Sequence, residues 1–243
     1  MEEISLKAQE LFNIGGFSMT NSFLLTLVVS LLLISGAFIV SRKISIIPGK
    51  LQGAIEMGAE GLLSLMESTL GSMEKAQRYF PLVATIFIFI LVSNLLGILP
   101  GVGSLTFHSG QGEASLFRSP ASDLNFTLAF AVISVLATNI LGMSVVGVFP
   151  HIGKFLNFTN PINFFIGILE LISEIAKVIS LSFRLFGNVF AGEVLLTIIF
   201  FLAPYIIPLP FLFLELFVGL IQAFIFAMIT LVSISLHTAI HEH

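Results

Sequence analysis

The stretch that decides the fold is LELISEIAKVISLSFRLFGNVFAGEVLLTII, at residues 169–199. It is strongly apolar and holds no proline, and the helical pattern around it extends from about residue 162 to residue 203. At roughly 1.5 Å per residue, a continuous helix of that length would measure on the order of 60 Å. The hydrocarbon core of a bilayer is only about 30 Å thick. We therefore expect a long helix that bends or lies steeply tilted in a membrane.

This apolar stretch also carries polar and charged side chains, namely Glu170, Glu174, Lys177, Arg184, Asn188 and Glu193. A charge at the bilayer centre costs roughly 2.5–3.5 kcal/mol on insertion scales, so such groups usually face protein or a water-filled cavity. At about 100° per residue, most of the set lies within about 40° of Arg184 and Lys177, whereas Glu193 lies on the opposite face. A fixed cation and a titratable acid on opposite faces indicate a helix that moves ions.

The composition of the whole chain agrees with a membrane protein. Of the 243 residues, 56% are hydrophobic and 10% are charged, and the mean hydropathy is +1.07. A soluble domain normally carries about 25% charged residues. The absence of cysteine excludes disulfides and thiolate metal sites, and the net charge of −4 without a basic run gives no indication of nucleic-acid binding. We predict one all-α membrane domain that covers residues 1–243.

Five membrane crossings are predicted from the apolar segments, at residues 21–40, 81–99, 124–149, 162–203 and 211–238. Proline favours the first turn of a helix, so Pro81 is expected to begin the second crossing. Ser122 or Asp123 can cap the third crossing, because short polar side chains accept hydrogen bonds from the free N–H groups of a helix start.

Residues 48–80 predict one further, amphipathic helix. Apolar side chains recur there at helical spacing, and the glutamates occupy a separate face of the helix. This pattern is typical of a helix that lies in the membrane surface. A helix that covers other helices of the same protein would show the same pattern, so the sequence leaves both interpretations open.

Basic residues predict the orientation in the membrane. The connection after the first crossing holds five of the ten, which are Arg42, Lys43, Lys50, Lys75 and Arg78. By the positive-inside rule this connection is cytoplasmic, which leaves residues 1–20 outside and the C-terminus inside. The acidic start of the chain lacks the basic region of a cleaved signal peptide, so we expect the first apolar helix to be retained as an anchor.

Several segments together resemble the a subunit of F-type ATP synthases, the proton-channel stator of the Fo membrane sector. The signature LSFRLFGNVFAGE stands at residues 181–193, and LELISEIAK at 169–177 leads into it. PASDLNFTL at 120–128 is similar to the start of the preceding span of that family, and IQAFIF at 221–226 to its last helix. The resemblance extends from about residue 47 to residue 243.

The resemblance implies a role for individual residues. Arg184 matches the essential arginine, which faces a rotating ring of c subunits that each carry a membrane-buried carboxylate. Asn188 and Gln222 match polar positions near that arginine. Glu193 and Glu215 match positions of the proton path, the second of which is His in some members. Implied partners are the oligomeric c-ring and the peripheral-stalk b subunits in a bacterial cell (inner) membrane, with H⁺ rather than Na⁺ as the ion and no cofactor.

Structural explanations compete with these roles. Arg184 could pair with Glu170 or Glu174, and Glu170, Glu174 and Lys177 could neutralise one another instead of lining a half-channel. Asp123 is better explained as a helix cap than as a proton carrier. Three histidines near the C-terminus are spaced like metal ligands, but we expect them to be solvated and predict no metal; they are His237, His241 and His243.

Two other functional classes follow from the sequence less well. A self-contained ion-coupled transporter or channel is the alternative, and it would need its own cavity and no partner ring. An intramembrane hydrolase would need paired Asp or a Ser–His dyad within the spans, but Asp123 is the only aspartate, so we reject that class. No Gly-rich nucleotide-binding loop is present, so ATP chemistry is expected on partner subunits.

Overall fold

The computed structural model describes residues 9–14, 17–99, 106–109, 112–155 and 160–238. Seven α-helices occur in this part of the chain: α1 (Asn21–Arg42), α2 (Lys50–Leu70), α3 (Met73–Ile98), α4 (Leu124–Val146), α5 (Val148–Gly153), α6 (Pro161–Leu202) and α7 (Pro208–Thr238). Five of them, α1, α3, α4, α6 and α7, are long and apolar enough to cross a membrane. The prediction of an all-α membrane protein with five crossings is therefore confirmed.

Two short antiparallel hairpins accompany the helices. Strands β1 (Glu10–Ile14) and β2 (Phe17–Thr20) precede α1, and strands β3 (Thr106–Ser109) and β4 (Gly112–Ser115) lie between α3 and α4. No strand was predicted from the sequence in either segment. A short 3₁₀ turn, Pro120–Ser122, follows β4, and we call this side of the molecule the hairpin end.

Helix α7 occupies the centre of the bundle, where α2, α3, α4 and α6 all contact it. One buried apolar cluster joins α3, α4, α6 and α7; its largest members are Ile86, Ile90, Leu181, Leu185 and Phe226. Because Leu181 and Leu185 are one helical turn apart, they direct one face of α6 into this core. The residues between them on the opposite face of α6 are left at the surface.

The segment predicted as one amphipathic helix over residues 48–80 is two helices. Gly71 ends α2 in a left-handed conformation (φ 69°), and its N–H donates to the Glu67 carbonyl at 2.8 Å. Glycine is favoured at this position because it has no Cβ to clash. Helix α3 then begins at Met73 and carries Pro81 in its interior, so the prediction that Pro81 starts the second crossing is wrong.

The two halves of helix α2 differ in burial. Met66 near its C-terminal end is fully buried against α3 and α7, whereas Leu51 and Met57 near its start are 70% and 74% exposed. The second half thus covers other helices of the chain. The location of the first half in a membrane surface stays a prediction.

The third crossing is shorter than the predicted 124–149. Gly147 (φ 97°) ends α4 after Val146, and the chain turns directly into the short helix α5. The long helix and the last helix agree with their predicted ranges to within three residues at each end. We call the side of the molecule near α5 the α5 end.

Candidate functional site

Arg184 lies on the outer surface of α6, near the middle of the helix. Its side chain is exposed, and its Nη2 donates a hydrogen bond to the Ser180 hydroxyl, one turn earlier, at 3.1 Å. Asn188, one turn later, is exposed on the same face. Gly187 beside it has open space around it, since a Cβ built there would meet nothing within 4 Å. This face can therefore be approached closely by another protein.

The acids that could have neutralised Arg184 have other partners. Glu170 pairs with Lys154 of the α5 end at 2.8 Å, and Glu174 pairs with Lys177 at 2.8 Å and with His237 at 3.2 Å. Within the described part of the chain, no carboxylate lies within ion-pair distance of Arg184. The structural explanation of Arg184 as an internal ion-pair partner is thus wrong for this structure.

Gln222, predicted near Arg184, lies on α7 and is buried. Among the described residues no hydrogen bond joins it to Arg184 or Asn188. The buried cluster that packs α6 on α7 includes Ala223, the next residue of α7. Gln222 is therefore buried in the bundle, whereas Arg184 is exposed.

Glu193 and Glu215 come together at the hairpin end. Glu193 forms an ion pair with Arg118, with 3.4 Å between Oε1 and Nε. Glu215 packs on Gly192, where an added Cβ would lie only 2.7 Å from its Oε1, and it interacts electrostatically with Glu193. In each glutamate Oε2 is buried and has no hydrogen-bond partner among the described residues. Carboxyl oxygens without a hydrogen-bond partner are available to a water molecule or to a proton in transfer.

Other oxygens of this kind lie at the same end of the bundle. Asn94 of α3 donates its Nδ2 to the Gly219 carbonyl at 3.0 Å, but its Oδ1 has no partner within the described ranges. The hydroxyls of Ser93 and Ser119 are likewise buried and unpaired there. Because buried polar atoms are normally satisfied, this end of the bundle is equipped to hold ordered water.

A second polar cluster lies at the α5 end and joins four helices. Glu174 of α6 is its centre: Oε1 accepts from Lys177 and from His237 of α7, and Oε2 accepts from the Asn139 amide of α4 at 3.2 Å. Asn139 in turn accepts from His151 of α5 at 3.1 Å through its Oδ1. Pairing of Glu174 with Lys177 was one of the two predicted alternatives, and it is observed.

Sequence reasoning missed two members of this cluster, Asn139 and His151, and it misjudged His237. The prediction that His237 is solvated is wrong, because α7 continues to Thr238 and packs the imidazole between helices, where it is 6% exposed. His241 and His243 lie outside the described residues. For His151 and His237 the only signal in the sequence is that histidine often has a functional role. Nothing in the sequence distinguishes Asn139 from other asparagines.

His151 lies outside the membrane-spanning helices, and its surroundings favour the neutral form of its imidazole. Burial lowers the pKa of its imidazole, and the positive charge of Lys154 lowers it further. A neutral ring is consistent with the T-shaped contact that it makes with the His237 ring, whose centroid is 5.5 Å away.

Asp123 is the N-cap of α4, where its Oδ1 accepts a hydrogen bond from the backbone N–H of Asn125 at 2.9 Å. Its Oδ2 accepts from the Ser22 hydroxyl of α1 at 2.5 Å. The carboxylate therefore ends one helix and ties it to another, as expected for a capping residue.

Comparison with known proteins adds independent information. A family model described as ATP synthase A chain matches residues 22–235. The ATP synthase subunit a of Moorella thermoacetica is 35% identical over 237 residues, which cover 96% of this chain and 97% of that protein. The ATP synthase subunit a of Campylobacter concisus is 37% identical over 218 residues, or 88% of each chain. These matches confirm the resemblance that the motifs indicated: the chain belongs to the ATP synthase A chain family.

Proposed function

We propose that this chain carries protons across the membrane through two offset half-channels, in contact with a rotating c-ring. The observation that supports this most strongly is the position of Arg184, which is exposed, lacks an acidic partner in the described chain, and lies between two polar clusters. Along α6, Glu174 precedes Arg184 by about 15 Å and Glu193 follows it by about 14 Å. The two clusters therefore lie on opposite sides of Arg184 along the axis of α6.

Arg184 would act as the barrier between the half-channels. A ring carboxylate must be neutral while it faces lipid, because an unpaired anion there is very costly. Opposite a guanidinium, the ionised carboxylate is favoured, so the site gives up its proton before it passes. Arginine stays charged throughout and cannot relay the proton itself. Each ring carboxylate therefore takes up its proton from one half-channel and releases it into the other, and Arg184 separates the two.

The two polar clusters would line these half-channels. At the hairpin end, which we assign to the outside with the N-terminal segment, Glu193 and Glu215 would serve the proton path to the ring. Asn188 would lie beside the barrier on the exposed face of α6, and Gln222 near it inside the bundle. At the α5 end, which we assign to the cytoplasm, Glu170, Glu174 and Lys177 would border the second path.

The remaining parts of the machine would be supplied by other chains. We assign the ring to oligomeric c subunits, the stator support to the b subunits of the peripheral stalk, and ATP chemistry to further partners in a bacterial cell (inner) membrane. One charge crossing 100 mV releases about 2.3 kcal/mol, so several protons have to be pooled for each ATP. A ring with several carboxylates meets this requirement, whereas a self-contained transporter would not need one.

The test of this function is Arg184→Ala in the assembled complex. ATP-driven proton pumping into inverted membrane vesicles should be lost while the amount of assembled complex stays normal. Arg78→Ala, which removes an exposed charge at the start of α3, is the matched control and should pump normally. Coupled pumping at the wild-type rate by Arg184→Ala would refute the role of Arg184. Transport by the purified chain alone in liposomes would favour the self-contained alternative.

A second substitution, Glu193→Gln, tests the outer half-channel. It removes the carboxylate and its charge but keeps the shape of the side chain, so proton flow should slow without opening a leak. Passive proton flow through the membrane sector, measured after the ATP-hydrolysing part has been removed, reports this directly. Flow at the wild-type rate would exclude Glu193 from the path.

A further inference from the structure

Arg118, in the segment between β4 and the 3₁₀ turn, reaches from the hairpin end into the bundle. Only 9% of its side chain is exposed, although arginine is normally a surface residue. Its Nε lies 3.1 Å from the Ser122 hydroxyl and 3.4 Å from Oε1 of Glu193, and its guanidinium carbon lies 5.9 Å from the centre of the Phe190 ring. The charge is therefore held in one place.

We propose that Arg118 is a positioning residue for proton transfer, which makes the two outer glutamates unequal because it pairs with Glu193 and not with Glu215. This inference rests on the proposed function. In this proposal Glu193 stays ionised, and Glu215 takes up and releases the proton.

The contacts of the two carboxyls support this division. Arg118 engages Oε1 of Glu193 and leaves its Oε2 buried and without a partner, next to a second carboxyl with which it interacts electrostatically. A residue that served only to clamp the segment to α6 would be expected to satisfy both oxygens, since bidentate pairing is common for arginine. Glu215 has no ion pair within the described part of the chain.

The physical reason lies in the coupling of nearby acids. Two carboxyls that interact closely titrate as a pair, and ionising both costs more than ionising one. A cation that contacts only one of them removes this degeneracy, so the same carboxyl carries the exchangeable proton in every cycle. Ser122 keeps the cation in place, because its hydroxyl accepts from Arg118 and donates to the Ser119 carbonyl at 2.9 Å.

The experiment compares R118Q, R118K, E193Q and R118Q/E193Q in the complete complex, with assembly and passive proton flow as readouts. R118Q should lower proton flow about tenfold, because it removes an ion pair whose worth lies between those of exposed and buried pairs. R118K, which keeps the charge, should retain most of the flow. The double variant should flow like E193Q alone, because Arg118 acts through Glu193. R78Q, which removes an equal charge from an exposed site, is the control.

Three results would overturn the proposal. R118Q could conduct like the wild type; R118K could lose as much as R118Q with assembly intact; or R118Q could cause the same loss again in the E193Q background. A loss in E193Q without one in R118Q removes only the role of Arg118. Wild-type flow in both single variants counts against the proposed function of the outer glutamates itself.

Discussion

Gly192→Ala should displace the carboxyl of Glu215 with little effect on the stability of the fold. Gly192 lies on α6 against the side chain of Glu215 of α7, and an added Cβ would be 2.7 Å from its Oε1 and 2.9 Å from its Cδ. Ordinary contacts of this kind begin at 3.4 Å. The carboxyl of Glu215 therefore has to move by about 0.7 Å, the difference between 3.4 and 2.7 Å.

The cost to folding should be small, since only the mobile end of a side chain has to move. Alanine is also a better helix former than glycine by about 1 kcal/mol, which offsets part of the crowding. The cost to proton flow should be larger, because a misplacement of about 1 Å in a reacting group can reduce a rate on the order of a hundredfold. For a smaller displacement we expect a loss on the order of tenfold.

The assay is passive proton flow through the membrane sector, normalised to the amount of assembled complex. Gly36→Ala is the matched control, because it makes the same change in a spanning helix where a Cβ would meet nothing within 4 Å. Wild-type flow by Gly192→Ala would refute the idea that the position of Glu215 limits proton transfer. Failure of Gly192→Ala to assemble would refute the argument that only a side-chain end has to yield.

Two further predictions concern stability. Asp123→Ala removes the cap of α4 and leaves the buried Ser22 hydroxyl without its acceptor, so the free energy of unfolding should fall by about 1–2 kcal/mol. Ser22→Ala should lower it less. Equal unfolding midpoints in detergent for wild type and Asp123→Ala would contradict this prediction. Burial and the charge of Lys154 lower the pKa of His151 from its ordinary 6.5, so the unfolded chain binds a proton there that the folded chain does not, and stability should fall as the pH drops below about 6.5. Thermal unfolding of wild type and His151→Asn between about pH 5 and 8 checks this, and the variant should lose less stability on acidification.

The sequence predicted the membrane class and the number of crossings because both depend on properties that are local to a segment. Twenty consecutive apolar residues, more or less, suffice to predict a spanning helix wherever it packs. Helix ends were predicted less well, because several residues that favour a helix start or end compete within one segment. Proline fits both the first turn of a helix and, with a local loss of one hydrogen bond, its interior. The structure ends α2 at Gly71 instead and leaves Pro81 inside α3.

In the candidate site, too, features within one segment were predicted and contacts between segments were not. Spacing along α6 was enough to separate Arg184 from Glu193 by half a turn, since both belong to one helix. Partners from other segments were beyond reach: Arg118 is 75 residues from Glu193, and His237 is 63 residues from Glu174. No periodicity links such pairs, and a residue type as common as Asn139 gives no indication of its partner.

By itself, then, the sequence determined that the chain crosses a membrane five times, that one long helix brings charge to its centre, and that its motifs resemble one family. Those properties follow from the order of residues within single segments. Only the tertiary structure decided which charges neutralise each other, because ion pairs form between side chains that packing brings together. It left Arg184 open to a partner while it paired Glu170, Glu174 and Glu193 within the chain.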